Sequence, residues 1–359
     1  MSDLMSLLSC VEDPRAGNSR HRLCDLLVMM IAASLCGATS ATEMALFARE
    51  RRQALARLID YDEAPSHDTF SRILRLIAPE RFAELLSALA SRIGEGIAAS
   101  GGPDVVALDG KALRRAYERG GAACPPLTVS AFATNTRLCL AASLPGTATN
   151  EVEGALQVVA LLDLKGQIVT ADALHCHHRM TEAVVARGGD YLLALKGNRP
   201  GWLKAAQAAF AARRRKPDLE IEETGHDRRE RRALYLCKAP AALTAGHAAY
   251  VKIVASRNGE TPSERYYIAS KGFKAATAMA AIRAHWQIEN ALHWMLDVHL
   301  NEDRQRGRKD HAPANLAALT RIARNILQTC DEPKVPISHR LRKCAWNDTY
   351  LVKALSHMR

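Results

Sequence analysis

Between Ala98 and Asp104 the chain reads AASGGPD, a small-residue linker at which its texture changes. Before the linker, apolar residues recur at three and four positions through Leu23–Ala38, Ala41–Ile59 and Phe70–Ile77, the spacing of amphipathic helices. Residues 1–97 are therefore expected to form a helical amino-terminal domain, with Ser66 of PSHDTFSRIL as an N-cap. The most apolar run, LCDLLVMMIAASLCGA, is short for a membrane span and carries Asp25, so it reads as a core helix. After the linker, short apolar runs (DVVALDG, LTVSAFAT, LCLAASLPG, QIVTADAL, YLLALKG) come first as three strands. Helices Glu151–Leu162 and His177–Arg187 then flank the fourth. That order predicts an α/β fold, a mixed sheet with helices on its faces. A basic helix follows at Gly201–Arg215. Period-two segments from Leu219 to Ser270 then predict a small antiparallel subdomain inserted at about 216–272. One more amphipathic helix, Pro313–Gln328, closes a main domain of residues 103–330, and 331–359 reads as a polar tail.

Charge and cysteine usage narrow the function classes. A net charge of +11 favours a polyanionic partner. Nine cysteines, an odd number with no CxxC pair and no signal-peptide pattern, read as reduced thiols in a cytoplasm and argue against a zinc ribbon. No GxxxxGK[ST] loop is present, so no nucleotide cofactor is expected.

Ligands of an open α/β sheet collect at the carboxyl ends of strands. Two strands end there in an aspartate, Asp109 of VALDGK and Asp172 of VTADAL. Either could be structural alone, since Asp-Gly is a turn dipeptide and an Asp after a strand often caps the next helix. A third carboxylate stands in RAHWQIENALHWMLDVHLNEDR. At about 100° per residue, Ile282, Trp286, Glu289, His293 and Leu296 share one helical face, which predicts a partly buried Glu289. A buried carboxylate needs a partner: an arginine, or a divalent cation shared with Asp109 and Asp172. His285, Glu289 and His293 lack the HExxH arrangement of zinc hydrolases, and hard oxygen donors favour Mg²⁺ or Mn²⁺.

Seven segments in order carry a family likeness: VEDPRAGNSRHRL, PSHDTFSRIL, VVALDGKALRR, IVTADALHCH, GGDYLLALKGNRP, HWQIENALHWMLDVHLNEDRQR and HAPANLAALTRIARNIL. The chain resembles the ISAs-type insertion-sequence transposases, the group that includes the H-repeat-associated proteins. The resemblance implies a DDE transposase with a ribonuclease H-like catalytic domain, in which Asp109, Asp172 and Glu289 hold two Mg²⁺ or Mn²⁺ ions. It further implies double-stranded DNA as partner, binding of terminal inverted repeats, metal-dependent strand cleavage and strand transfer, and a homodimer in the transposition complex. The chain departs from the family pattern in TATNE, which lacks a basic residue, at His177, in KGNR, and at Ile282 and His285. Candidate DNA contacts are Lys111, Arg114, Arg115, Lys196 and Asn198 beyond the strand ends, with His293 beside Glu289. Arg304 and Arg306 of EDRQRGRK, and Arg72 with Arg75 in the amino-terminal helix, complete the set. Two rival readings are a host-captured nuclease with the same triad and a DNA-binding remnant whose catalysis has decayed.

Overall fold

The computed structural model describes residues 2–15, 17, 19–96, 104–116, 125–144, 150–211, 216–225, 228–330 and 334–356. Six helices come first: α1 (Ser2–Ser9), α2 (Leu23–Leu35), α3 (Ala41–Glu50), α4 (Arg52–Leu55), α5 (His67–Leu76) and α6 (Pro79–Gly96). Ser66 caps α5 as the sequence suggests, its side chain accepting from the Thr69 amide. Every residue of α2 is buried, Asp25 included. No helix among the described residues is long and apolar enough to cross a membrane.

The remainder builds one sheet. Strands β1 (Val105–Ala112), β2 (Leu127–Ala133) and β3 (Leu138–Ser143) are followed by α7 (Glu151–Ala160), β4 (Ile168–Ala171), α8 (His178–Ala186), β5 (Asp190–Leu195) and α9 (Pro200–Ala211). Then come β6 (Leu219–Gly225), β7 (Arg228–Lys238), β8 (Ala249–Arg257) and β9 (Ser263–Ala269). The spatial order is β3-β2-β1-β4-β5-β9-β8-β7-β6, nine strands in all. Strands β1, β4 and β5 run parallel and the rest pair antiparallel. The antiparallel segments are thus not a separate subdomain. The outer edge of β5 would expose unpaired backbone groups, and β9 satisfies them, Leu192 pairing with Ala269 and Leu195 with Tyr266.

Alternation along β1 separates two cores. Val106 and Leu108 pack with apolar residues of α7, α8 and α9. Ala107 faces the opposite way, into a cluster shared by α2, α5, α6, the helix α12 (Ala312–Thr329) and the carboxyl-terminal helices. Helix α10 (Ala275–His285) packs in a third cluster with Val105 and Ile168, and the π-helical turn (Ile288–His293) and α11 (Trp294–Val298) send Ile288, Leu292 and Leu296 into the cluster of Ala107.

Helix α12 is not one-sidedly amphipathic, because its polar residues are inside. Asn325 donates to the Cys139 carbonyl (2.8 Å) and accepts from its amide (2.9 Å), gripping edge strand β3. Asn315 donates to the carbonyls of Leu74 and Ile77 at the end of α5, at 2.9 and 2.8 Å. Both asparagines thus meet backbone of another element, which makes their burial tolerable. The described residues of the expected tail, 334–356, likewise belong to the packed body. They contain α13 (Ile337–Trp346) and α14 (Asp348–Ser356), whose Cys344, Leu351 and Leu355 join the core around α2 and α12.

Candidate active site

Parallel register sets the first two carboxylates beside each other. Leu108 pairs with Ala171 as the last β1–β4 partners, so Asp109 and Asp172 are the next residues on strands about 4.8 Å apart. Strand β1 continues to Ala112 against β2, with Asp109 opposite Ser130, so Asp109 lies inside its strand rather than at its end. Asp172 ends β4 and caps the short turn Ala173–His175, one oxygen accepting from the Leu174 amide at 2.8 Å. The capping role expected of a lone aspartate is real, and it uses only one of the two oxygens.

Glu289 arrives differently from the helical-face expectation. Helix α10 stops at His285, and Glu289 sits in the π-helical turn. A π turn bonds i to i+5, one residue more than an α turn, and shifts the phase of everything after it by about 100°. Ile282 and Leu296 are buried as expected, but Trp286 is 47% exposed. Glu289 is exposed as well; the apolar contacts are made by Ile288 and Leu292 instead. Such turns recur at functional sites.

The electrostatics of Asp109 join these elements. Burial raises its carboxyl to about 6; a hydrogen bond from the Gly110 amide opposes this, and the charges of Glu289, Glu151 and Asp172 add to it. Asp109 Oδ2 stands 3.5 Å from His293 Nδ1. This contact is not an ion pair at neutral pH, because burial, with Arg321 and Lys111 nearby, depresses His293 to about 3. Burial also takes His285 to about 4 while its Nδ1 lies 3.2 Å from Thr170 Oγ1. Among the described residues no lysine or arginine pairs with Asp109, Asp172 or Glu289.

Glu151, at the start of α7, is a neighbour the sequence reading missed. Its carboxylate lies over Gly110, where an added Cβ would come within 2.6 Å of it, so any larger residue after Asp109 would push the Glu151 side chain aside. Its Oε1 is 3.3 Å from Nε2 of His175, a residue 1% exposed whose ring nitrogens make no hydrogen bond. The signal available was the glutamate that ends TATNE; it was taken only as the start of a helix.

The candidate DNA contacts divide. Arg114, Lys196, Asn198, Arg304, Arg306 and Arg72 are exposed. Asn198 also donates to the Ala173 carbonyl at 2.6 Å, tying its loop to the Asp172 turn. Arg72 lines a cleft of about 360 Å³ with Arg15, Arg20, His21, Ser66 and Thr69, whereas Arg75 is engaged by Asp310 at 2.6 Å. His293 is largely buried beside Asp109. Lys111 does not fit the expectation of a free phosphate contact. It is 8% exposed, with Nζ at 2.7 Å from Asp297, 3.1 Å from Glu302 and 3.2 Å from Asp303. A lysine two residues after a strand-end aspartate reads as a surface charge only while the helix that covers it is unknown.

The donor set is hard oxygen, and its negative charge lacks an internal counter-charge, which suits a cation such as Mg²⁺. As posed, no three His, Cys, Asp or Glu side chains among the described residues enclose a single ion. The carboxylates share a corner without closing on one point.

Comparison with known proteins gives the family. Residues 5–90 match the family described as DDE_Tnp_1-associated, and residues 100–326 match the transposase DDE domain. The H repeat-associated putative transposase YhhI of Escherichia coli (strain K12) is 30% identical over 99% of this chain and 98% of its own length. The putative protein YbfL of the same strain is similar to the same extent. A cryo-EM structure of the piggyBac transposase synaptic complex with hairpin DNA aligns with 99% of this chain and 78% of its own at 11% identity. Its TM-score is 0.42, too low to bear on the chemistry. With more than half its length matched by the DDE domain and full-length relatives among the H repeat-associated proteins, the chain belongs to the DDE transposase family.

Proposed function

We propose that the protein is an insertion-sequence transposase that binds terminal inverted repeats and performs strand cleavage and strand transfer on double-stranded DNA, through a ribonuclease H-like domain. The observation that carries this reading is the Asp109 carboxyl, set beside Asp172 by the β1–β4 register, raised to about 6 by burial with Glu289, Glu151 and Asp172 adding, and paired with no lysine or arginine among the described residues. Asp109, Asp172 and Glu289 would hold two Mg²⁺ or Mn²⁺ ions. When bound, these would activate the attacking hydroxyl and stabilise the leaving 3′-oxygen.

The chain's own residues supply the rest. Asp172 keeps one oxygen on its capped turn and so presents the other in a fixed direction. Neutral His293 lies against Asp109 Oδ2 without competing as a cation. Thr170 holds the His285 ring within reach of the Asp172 charge. Exposed Lys196, Arg304 and Arg306 would meet phosphates, while Arg72 and its cleft would grip the transposon end from the amino-terminal helices. A homodimer would bring two ends together. The protein would work in the cytoplasm, on the nucleoid.

The test is a nicking assay on the cognate terminal repeats. Cleavage is expected in Mg²⁺ or Mn²⁺ and none in EDTA; cleavage that survives EDTA would overturn the two-metal reading.

A further inference from the structure

Beside the carboxylate corner lies a second acidic cluster, built in the opposite way. Asp297 of α11, and Glu302 and Asp303 of the 3₁₀ turn Glu302–Arg304, converge on the Lys111 ammonium. Asp303 Oδ1 accepts a hydrogen bond; Asp297 and Glu302 are held at contact distance by charge. The second oxygen of Glu302 is 2.5 Å from Arg321 of α12, and both side chains are 0% exposed. Arg321 continues to Ser130 Oγ (3.2 Å) and Thr128 Oγ1 (3.0 Å) on β2, and Thr128 donates back to the Lys111 carbonyl at 3.1 Å. Exposed Arg114 approaches Asp303 at 3.5 Å.

The cluster has a direction. Lys111 is two residues beyond Asp109, so both side chains leave β1 on the same face. Its partners follow Glu289 by 8 to 14 residues and stand in the helix and turn that continue from the π-helical segment. Strand β1 is thereby linked through one ammonium to the far end of the unit that carries Glu289. The same link anchors the turn from which Arg304 and Arg306 project.

We infer that Lys111 is a positioning residue of the reaction, the tie that sets how far Glu289 stands from Asp109. The inference rests on the reading of Asp109, Asp172 and Glu289 as the metal-holding set. Without the tie, three carboxylates would repel one another where α11 meets β1, and displacement of a catalytic group by an ångström costs about a hundredfold in rate.

Two variants separate this role from support of the fold. The triple variant Lys111→Met, Asp297→Asn, Asp303→Asn removes the tie together with the repulsion, leaving Glu302 on Arg321. Lys111→Arg keeps the charge and changes the length of the link. Manganese binding is read by titration calorimetry without DNA, beside thermal midpoint, repeat binding and nicking. The triple variant is expected to melt and bind repeats like the parent, yet to need about tenfold more Mn²⁺ or higher, as supporting-residue losses at metal sites do. Lys111→Arg should show a shift of the same sign and about threefold. Unchanged Mn²⁺ affinity in Lys111→Arg would overturn the inference, even if the triple variant fails to fold. Asp172→Asn is the control. If it binds Mn²⁺ like the parent, the metal-holding set itself is wrong; if only the Lys111 variants do, the positioning role alone falls.

Discussion

Two acidic clusters share the carboxyl edge of the sheet and differ in how they are neutralised. Asp297, Glu302 and Asp303 meet Lys111, Arg321 and Arg114, three negative charges against three positive ones, all from the chain itself. Among the described residues Asp109, Asp172, Glu289 and Glu151 have no lysine or arginine against them; Asp109 meets His293 and Glu151 meets His175, and His293 and His285 are neutral by burial. A buried ion pair holds shape without needing anything from solution. An uncompensated group of carboxylates stores a demand for cations. The first cluster is therefore scaffold, and we read the second as the place where chemistry happens.

The largest effect that would break this comparison is on catalysis. Asp172→Asn preserves shape and the cap on Leu174 but removes a charge from the open cluster. Nicking should fall by orders of magnitude, while repeat binding, dominated by basic residues on phosphates, stays near the parent level. Normal nicking would reduce Asp172 to its capping role.

The next effect is on stability. Glu302→Ala in the closed cluster strands Arg321, which is 0% exposed, and should cost about 3–5 kcal/mol in urea unfolding. A loss below about 1 kcal/mol would mean the cluster is a surface network of ordinary weight.

Much of this division was legible in the chain. The order of strands and helices and two aspartates on neighbouring strands follow from periodicity and strand-end logic, whereas the expected linker at 98–104 lies, but for Asp104, outside the described residues. The π turn was not, because an inserted residue leaves no compositional mark and moves Glu289 to an exposed position. Nor were the insides of α12 visible: Arg321, Arg324 and Asn325 read as a polar face until β2, β3 and Glu302 are known to cover them. Lys111 was misjudged for the same reason, since its partners lie far along the chain.

A smaller effect with the opposite sign sharpens the contrast. The Asp109 carboxyl is raised by folding, so the folded state holds more protons than the unfolded one between the usual carboxylate range and about pH 6. This group's contribution to stability therefore falls as pH rises through that window, the reverse of a salt-bridged aspartate. Asp109→Asn should stabilise the metal-free protein at pH 7, by up to about 3 kcal/mol, and abolish stabilisation by added Mn²⁺. A destabilised Asp109→Asn protein would show that the corner already has its counter-charge.

The smallest effect lies far from both clusters, in the cleft of α5. Arg72 is exposed on that helix and shares the cleft with Arg15, Arg20 and His21, whereas Arg75 one turn on is held by Asp310. Arg15 and Arg20 also have acidic partners, Asp13 and Glu63, which leaves Arg72 as the cleft's guanidinium free of an ion pair among the described residues. One lost phosphate contact reduces the salt slope of binding by about 1 and weakens association alike on all sequences, whereas one lost base contact costs about 1–3 kcal/mol at a single position. Arg72→Ala should thus weaken repeat binding by roughly tenfold at low salt, and leave Mn²⁺ affinity untouched because neither cluster includes it. Arg75→Ala should change binding less, its guanidinium being engaged already. Gel shifts across a salt series on repeat and scrambled DNA distinguish the outcomes. An equal loss on both sequences marks a phosphate grip, a loss confined to the repeat marks base reading, and no loss on either removes the amino-terminal helices from end recognition.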